Sequence, residues 1–279
     1  MFNNLLLLSL PILSCHATYL DPSLQQQRPL APGSLPIIPS DTTVLPLSLN
    51  EDLSYTFPSP NPHRHHHHAT PLHRLQSTSA IHATHHSHST ITVSIPLSVS
   101  QPATVSFSPA SSNPPATRLT WVPQDPWDAA MRHMPLLDAG IRKGGMLSMD
   151  AEAAVLDLGT PFIAVPKGLW DVVVLATAPV KATVAEDEGV LRVDCGAMGR
   201  FPDLVLGVLV DEEDEEAKEE FVVTPEQYVL QRGDECLLLV REAKEGSEHD
   251  VELGWAAVRG RDVVFDWEGG RMGFGELKG

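Results

Sequence analysis

From Thr90 onward the chain is a succession of short apolar runs, most of them bounded by Gly, Pro or Asp, and this spacing confines it to an all-β fold. Thr90–Val99 alternates, with Ile91, Val93, Ile95, Leu97 and Val99 on one face, and Thr104–Phe107 continues the pattern as a second strand. Further runs follow at Ala154–Leu156, Phe162–Val165, Val190–Asp194, Leu204–Val210, Phe221–Val223, Cys236–Val240 and Val263–Asp266. Runs this short cannot each carry a helix, and many of them in series build sheets packed on one another. Lys167–Leu175 is the best helix candidate. Trp267-Glu268-Gly269-Gly270 reads as a hairpin turn between Val263–Asp266 and Arg271–Phe274.

Residues 18–89 are different in kind. Pro, Ser, Thr, Gln and His dominate them, and neither the 3.6 nor the 2 periodicity is sustained. Such a segment buries too little apolar surface to offset its ordering entropy, so it is expected to be a disordered arm. At most one short extended piece is expected in it, at Thr42–Leu49.

The N-terminus reads as a secretory signal, residues 1–17. Leu5–Leu8 and Leu10–Leu13 form an apolar core too short to span a bilayer, and Cys15-His16-Ala17 places small residues at −3 and −1 of a cut after Ala17. The expected location is therefore secreted, extracellular or cell-wall associated, with no membrane span. Export also bears on the three cysteines. Cys15 would leave with the signal, and Cys195 and Cys236 would remain as a pair. In an oxidising compartment the pair most simply forms a disulfide; without export, two buried thiols are the better reading.

Charge is concentrated in the second half. Residues 140–279 hold 29 acids against 14 bases, a net charge of −15. Phosphate backbones repel such a surface, which excludes nucleic acid as a partner. Asp211–Glu216 is six acids in a row. A solvated loop between strands is the bland reading. A calcium site is the sharper one, although the block lacks the Gly and the spacing of an EF-hand loop.

Ten of the 13 histidines fall in His63–His88, including His65, His66, His67 and His68. Clustered imidazoles capture Zn²⁺, Cu²⁺ or Ni²⁺ weakly, but a structural site needs ligands held by folded elements, and a polar linker is the alternative. No motif for a cofactor stands out. Gly269-Gly270 and Gly273-x-Gly275 have no helix after them, so they are not a nucleotide loop.

Ala154-Val155-Leu156-Asp157-Leu158-Gly159-Thr160, followed by Phe162-Ile163-Ala164-Val165-Pro166, resembles the active-site loop of pepsin-like aspartic peptidases and the strand after it in the second lobe. The order of other segments agrees. Leu119-Thr120-Trp121-Val122-Pro123 resembles the strand entering that lobe, and Trp127 and Leu136–Ile141 continue it to Gly144-Gly145. Val193-Asp194-Cys195 with Phe201-Pro202-Asp203-Leu204 resembles the family's Cys and Leu-Pro-Asp, and Thr224–Gln231 its Pro-x-x-Tyr helix turn. Leu253-Gly254, Val263–Asp266 and Arg271–Phe274 resemble the closing strands. The resemblance spans Thr90–Gly279 and implies a single C-terminal lobe of the pepsin-like fold, with Cys236 where the partner of Cys195 belongs.

In this family two aspartates, one per lobe, share a proton across a water, one acting as base and the other as acid. The resemblance makes Asp157 the second-lobe aspartate, with Thr160 in support. No Asp-Thr-Gly or Asp-Ser-Gly occurs in residues 18–120. Leu158 stands where the family has Thr or Ser, whose hydroxyl ties the two loops together, and leucine has no donor for this. Trp255 stands where many members have Asp after Leu-Gly. For Asp157 a structural remnant and half of a working dyad are the two readings. The expected function is a secreted aspartic-type endopeptidase family member, degenerate and inactive as a single lobe. Peptide or protein would be its substrate if active, no cofactor is implied, and a homodimer is not expected. The alternative is a non-enzymatic secreted or wall-associated binding protein with a weakly metal-binding His-rich arm.

Overall fold

A computed structural model describes residues 43–57, 72, 90–108, 118–124, 131–181, 190–211, 217–247 and 249–278. All of them belong to one contact unit, Pro32–Gly279. In chain order the strands begin with β1 (Thr43–Leu49), β2 (Tyr55–Thr56), β3 (Thr90–Ile95), β4 (Ala103–Ser108), β5 (Leu119–Pro123), β6 (His133–Arg142) and β7 (Met146–Asp150). Next come β8 (Ala153–Asp157), β9 (Ile163–Val165), helix α1 (Lys167–Thr177), β10 (Val180–Lys181), β11 (Leu191–Val193), β12 (Asp203–Leu209) and β13 (Lys218–Val223). A one-turn helix α2 (Pro225–Tyr228) leads to β14 (Val229–Arg232), β15 (Glu235–Leu238), β16 (Val240–Glu242), β17 (Val251–Gly254), β18 (Arg261–Asp266) and β19 (Arg271–Gly275). The fold is all-β.

The strands make three sheets. A seven-stranded sheet runs β2-β1-β4-β3-β18-β19-β5, and its pairs are antiparallel. Its centre is what the alternation demands: Ile91, Val93 and Ile95 of β3 are buried, and so are Ala103, Val105 and Phe107 of β4, with Val93 opposite Val105 and Ile91 opposite Phe107. A second sheet runs β13-β12-β6-β8-β17-β9-β16, with β7 joined to β6. It is mixed: β17 runs parallel to β8 and antiparallel to β9, and β16 runs parallel to β9. A small sheet, β10-β11-β15-β14, carries the Cys195–Cys236 disulfide, with Cα atoms 5.4 Å apart, inside the range a bridge allows.

Two local features match the chemistry of their residues. The turn after β18 is closed by Asp266, whose carboxylate accepts from Gly269 N (2.9 Å) and Arg271 Nε (2.9 Å), while Gly270 takes the left-handed φ of 58°. Helix α2 starts on Pro225, and the Gln227 side chain accepts from Thr224 N (3.0 Å). Gln227 is fully buried, and its Nε2 donates to the carbonyls of Ala257 and Arg259, which ties α2 to the turn before β18.

Three expectations need correction. The alternating run from Thr90 ends as strand at Ile95, because Pro96 follows and cannot extend the ladder. The run Cys236–Val240 is two strands split at Leu239, whose N–H turns to Tyr228 O and whose carbonyl accepts from Ile163 N. The arm expected to lack structure over 18–89 does not do so in 43–57. The extended piece expected at Thr42–Leu49 is β1, paired with β4 from Thr43↔Phe107 to Leu47↔Ala103, and the fold therefore starts before Thr90. Leu47, Leu53, Tyr55, Phe57 and Leu72 are buried in the same apolar core as Leu156 and Trp255. The signal segment, His65, His66, His67, His68 and residues 212–216 of the acidic run lie outside the described residues.

Candidate functional site

Strand β8 alternates buried Ala154 and Leu156 with half-buried Val155 and Asp157, so Asp157 arrives at the strand's end on the open side. The chain then turns sharply. Gly159 N donates to Asp157 Oδ1 (2.8 Å), and Thr160 N reaches the Asp157 carbonyl (3.4 Å). The Thr160 hydroxyl accepts from Phe162 N (3.3 Å), so its place in the structure is a brace on the turn. Among the described residues Gly159 N–H is the hydrogen-bond partner of the Asp157 carboxylate.

Strand β17 lies between β8 and β9 and holds this turn from beneath. Leu253 pairs with both Leu156 and Ile163, and Gly254 sits opposite Asp157. Gly254 N donates to Phe162 O (2.9 Å) and Trp255 N to Thr160 O (2.8 Å). The approach is close enough to require glycine: a Cβ on Gly254 would lie 2.4 Å from Phe162 O and 2.5 Å from Thr160 O. Leu253-Gly254, read in the sequence as part of a closing strand, is therefore the floor of the Asp157 turn.

The residues flanking Asp157 are apolar and enclosed. Leu158 and Trp255 are each fully buried. The Trp255 indole Nε1 donates to Leu53 O (2.9 Å), and the Tyr55 ring meets the indole edge-on at 5.2 Å. Leu53 itself holds a left-handed φ of 62°, uncommon for a branched residue, at the tip of a turn closed by Leu53 N to Asn50 O and Asn50 N to Ser54 O. Arg232 Nη1 adds a bond to Glu51 O (3.2 Å). The acid on this tip, Asp52, is exposed and engaged locally, accepting from Ser54 N (3.0 Å) and Ser54 Oγ (2.7 Å), which hold its carboxyl below the ordinary value. Sequence reading could not find these contacts, because Trp255 and Leu53 stand 202 positions apart.

Elsewhere the titratable groups serve the scaffold. Tyr228 OH donates to Pro202 O (2.7 Å), and burial pushes its phenol well above the ordinary range. Buried Arg259 donates to the carbonyls of Gln227 and Val229, and desolvation lowers it to about 10. His133 and His249 are brought together with ring centroids 6.0 Å apart. Among the described residues no group of three His, Cys, Asp or Glu converges as a metal site, and no helix is long and apolar enough to cross a membrane.

No family model matches the chain, and no curated protein matches it. Among solved structures, basic 7S globulin from soybean is similar at 16% identity and a TM-score of 0.49, over 67% of this chain and 51% of that one. The chain thus spans about half the length of that structure. A likeness this distant assigns no function, and the chemistry of the site follows from its own geometry.

Proposed function

We propose that the chain is a secreted lobe of the pepsin-like aspartic-peptidase type in which the Asp157 half-site is a structural turn and not a working catalyst. The observation that carries this reading is the state of one turn. Its backbone is intact, with Asp157 delivered by β8 and fastened through Gly159, Thr160 and Gly254, while the next residue is the buried Leu158. Peptide hydrolysis of this class needs two carboxylates that share a proton. Asp157 is engaged by its own turn, and Leu158 brings no hydroxyl to tie a second loop against it.

The disulfide at Cys195–Cys236 supports export, since such bridges persist in oxidising compartments. The chain's role is then that of an exported scaffold without turnover.

The test is hydrolysis of an unstructured protein between about pH 3 and 6, with wild type beside Asp157→Asn. No turnover above the variant's is expected. Pepstatin-sensitive cleavage that disappears in Asp157→Asn would show that the site works.

A further inference from the structure

We propose that the hairpin Thr43–Phe57 is a permanently docked cap on Trp255, and that this one residue couples the hairpin to the Asp157 turn. The inference deepens the reading of an inactive half-site and rests on it for the meaning of the cap, though not for the cap's existence.

Four observations converge on one spot. Trp255 follows Gly254, the residue opposite Asp157, and its own N–H is bonded to Thr160 O in the Asp157 turn. Its indole N–H is taken by Leu53 O at the hairpin tip. Its ring is met edge-on by Tyr55 from the hairpin's second strand. The tip is further tied at Glu51 O by Arg232. One residue thus holds the hairpin through its indole and the Asp157 turn through its backbone N–H.

The cap is a fixed part of the fold and not a lid. Lifting it would bare Trp255, which has no exposed surface, together with Leu53, Tyr55 and Phe57, each under a tenth exposed. Large apolar side chains dominate the stability of such contacts, so the open state is strongly disfavoured. Strand β1 also continues the seven-stranded sheet through five register pairs with β4, so the hairpin is anchored at its base as well as its tip. The left-handed Leu53 fits this role: the conformation aims its carbonyl at the indole and persists because the surrounding contacts determine it.

Hydrogen exchange followed by mass spectrometry on the full chain tests this, with wild type, Trp255→Phe and Tyr55→Leu. In wild type, peptides covering 43–57 and 156–162 should both be protected. Trp255→Phe keeps an aromatic ring but removes the donor to Leu53 O together with part of the buried bulk. It should speed exchange in both peptides by about tenfold, while β6 and β12 stay unchanged. Tyr55→Leu, which keeps apolar bulk, should give a smaller rise in the same two peptides. An unprotected hairpin in wild type would overturn the proposal, and that reading survives even if a variant does not fold. Acceleration spread evenly over β6 and β12, or confined to the hairpin with 156–162 unmoved, would overturn it too. The outcome is separable from the activity test: turnover by a chain with a docked hairpin would sink the inactive reading and leave the cap standing. A free hairpin on an inert chain would do the reverse.

Discussion

Replacing both Cys195 and Cys236 by Ala should remove about 4 kcal/mol of stability, by the entropy of closing the loop between residues 41 positions apart. The structure says why the bridge carries this weight. The small sheet it serves has strands of only two to four residues, and Cys236 on β15 pairs directly with Val193 on β11, just before Cys195 opens the 3-10 turn to Arg200. The loop it closes contains β12, β13, α2 and β14, so the unfolded chain gains the freedom of all four when the bridge goes. A domain of this size holds on the order of 10 kcal/mol in total, which makes the loss large but survivable. Urea unfolding at pH 7, followed by tryptophan fluorescence, reads the change directly. With a slope of about 2 kcal/mol per molar urea, the midpoint should fall by about 2 M, and the melting temperature by on the order of 10 °C. Wild type in reductant should move to the variant's midpoint. A double variant within about 1 kcal/mol of wild type, at equal slope, would refute the loop argument.

Three further outcomes follow from named contacts. Asp157→Asn keeps an acceptor for Gly159 N and should change stability by less than about 0.5 kcal/mol, whereas Asp157→Ala loses that bond and should cost about 1 kcal/mol, both by urea unfolding. Gly254→Ala should cost about 3 kcal/mol, because the new Cβ meets backbone atoms of Thr160 and Phe162 that cannot swing aside; a loss under about 1 kcal/mol would mean the turn is looser than described. Tyr228→Phe should cost about 1 kcal/mol at pH 7 by removing the bond to Pro202 O. Its phenol is raised in the folded state, so its contribution is complete below the ordinary tyrosine value of 10.0 and is lost as pH rises above it. The gap between wild type and Tyr228→Phe should accordingly narrow between pH 7 and about pH 11, and a gap that widened would contradict the sign.

Much of the sheet structure was legible because burial on one face imposes a period of two. The runs at β3 and β4 announced themselves in that way, whereas β18, buried at four residues in succession, was legible only as a short apolar run. The Asp157 turn was legible from the order of the segments around it, since Asp-x-Gly-Thr by itself is short enough to occur by chance. Hairpin 43–57 was only half legible. Val44, Pro46 and Ser48 are exposed while Leu47 is buried, a faint alternation interrupted by a proline, and β1 gains its partner from β4 some sixty positions on. Averaged over a Pro-, Ser- and His-rich segment, that signal vanishes into composition. What Trp255 does was not legible at all. In the sequence Trp255 is only a departure from the resemblance, and the fold alone shows its indole held by Leu53 and Tyr55.

The backbone duties of the Asp157 turn can be separated from any catalytic one. Asp157 supplies an acceptor for Gly159 N, Thr160 one for Phe162 N, and Gly254 the absence of a Cβ that lets β17 come under the turn. Each of these is required by the backbone, whether or not a water is ever activated. The residue that follows Asp157 is Leu158, which is buried in the core. Asp-x-Gly-Thr is therefore evidence for a strand that ends in a braced reversal. Catalysis needs the separate evidence of a second carboxylate and a hydroxyl to register it, and the residue after Asp157 is a buried leucine, which has no hydroxyl.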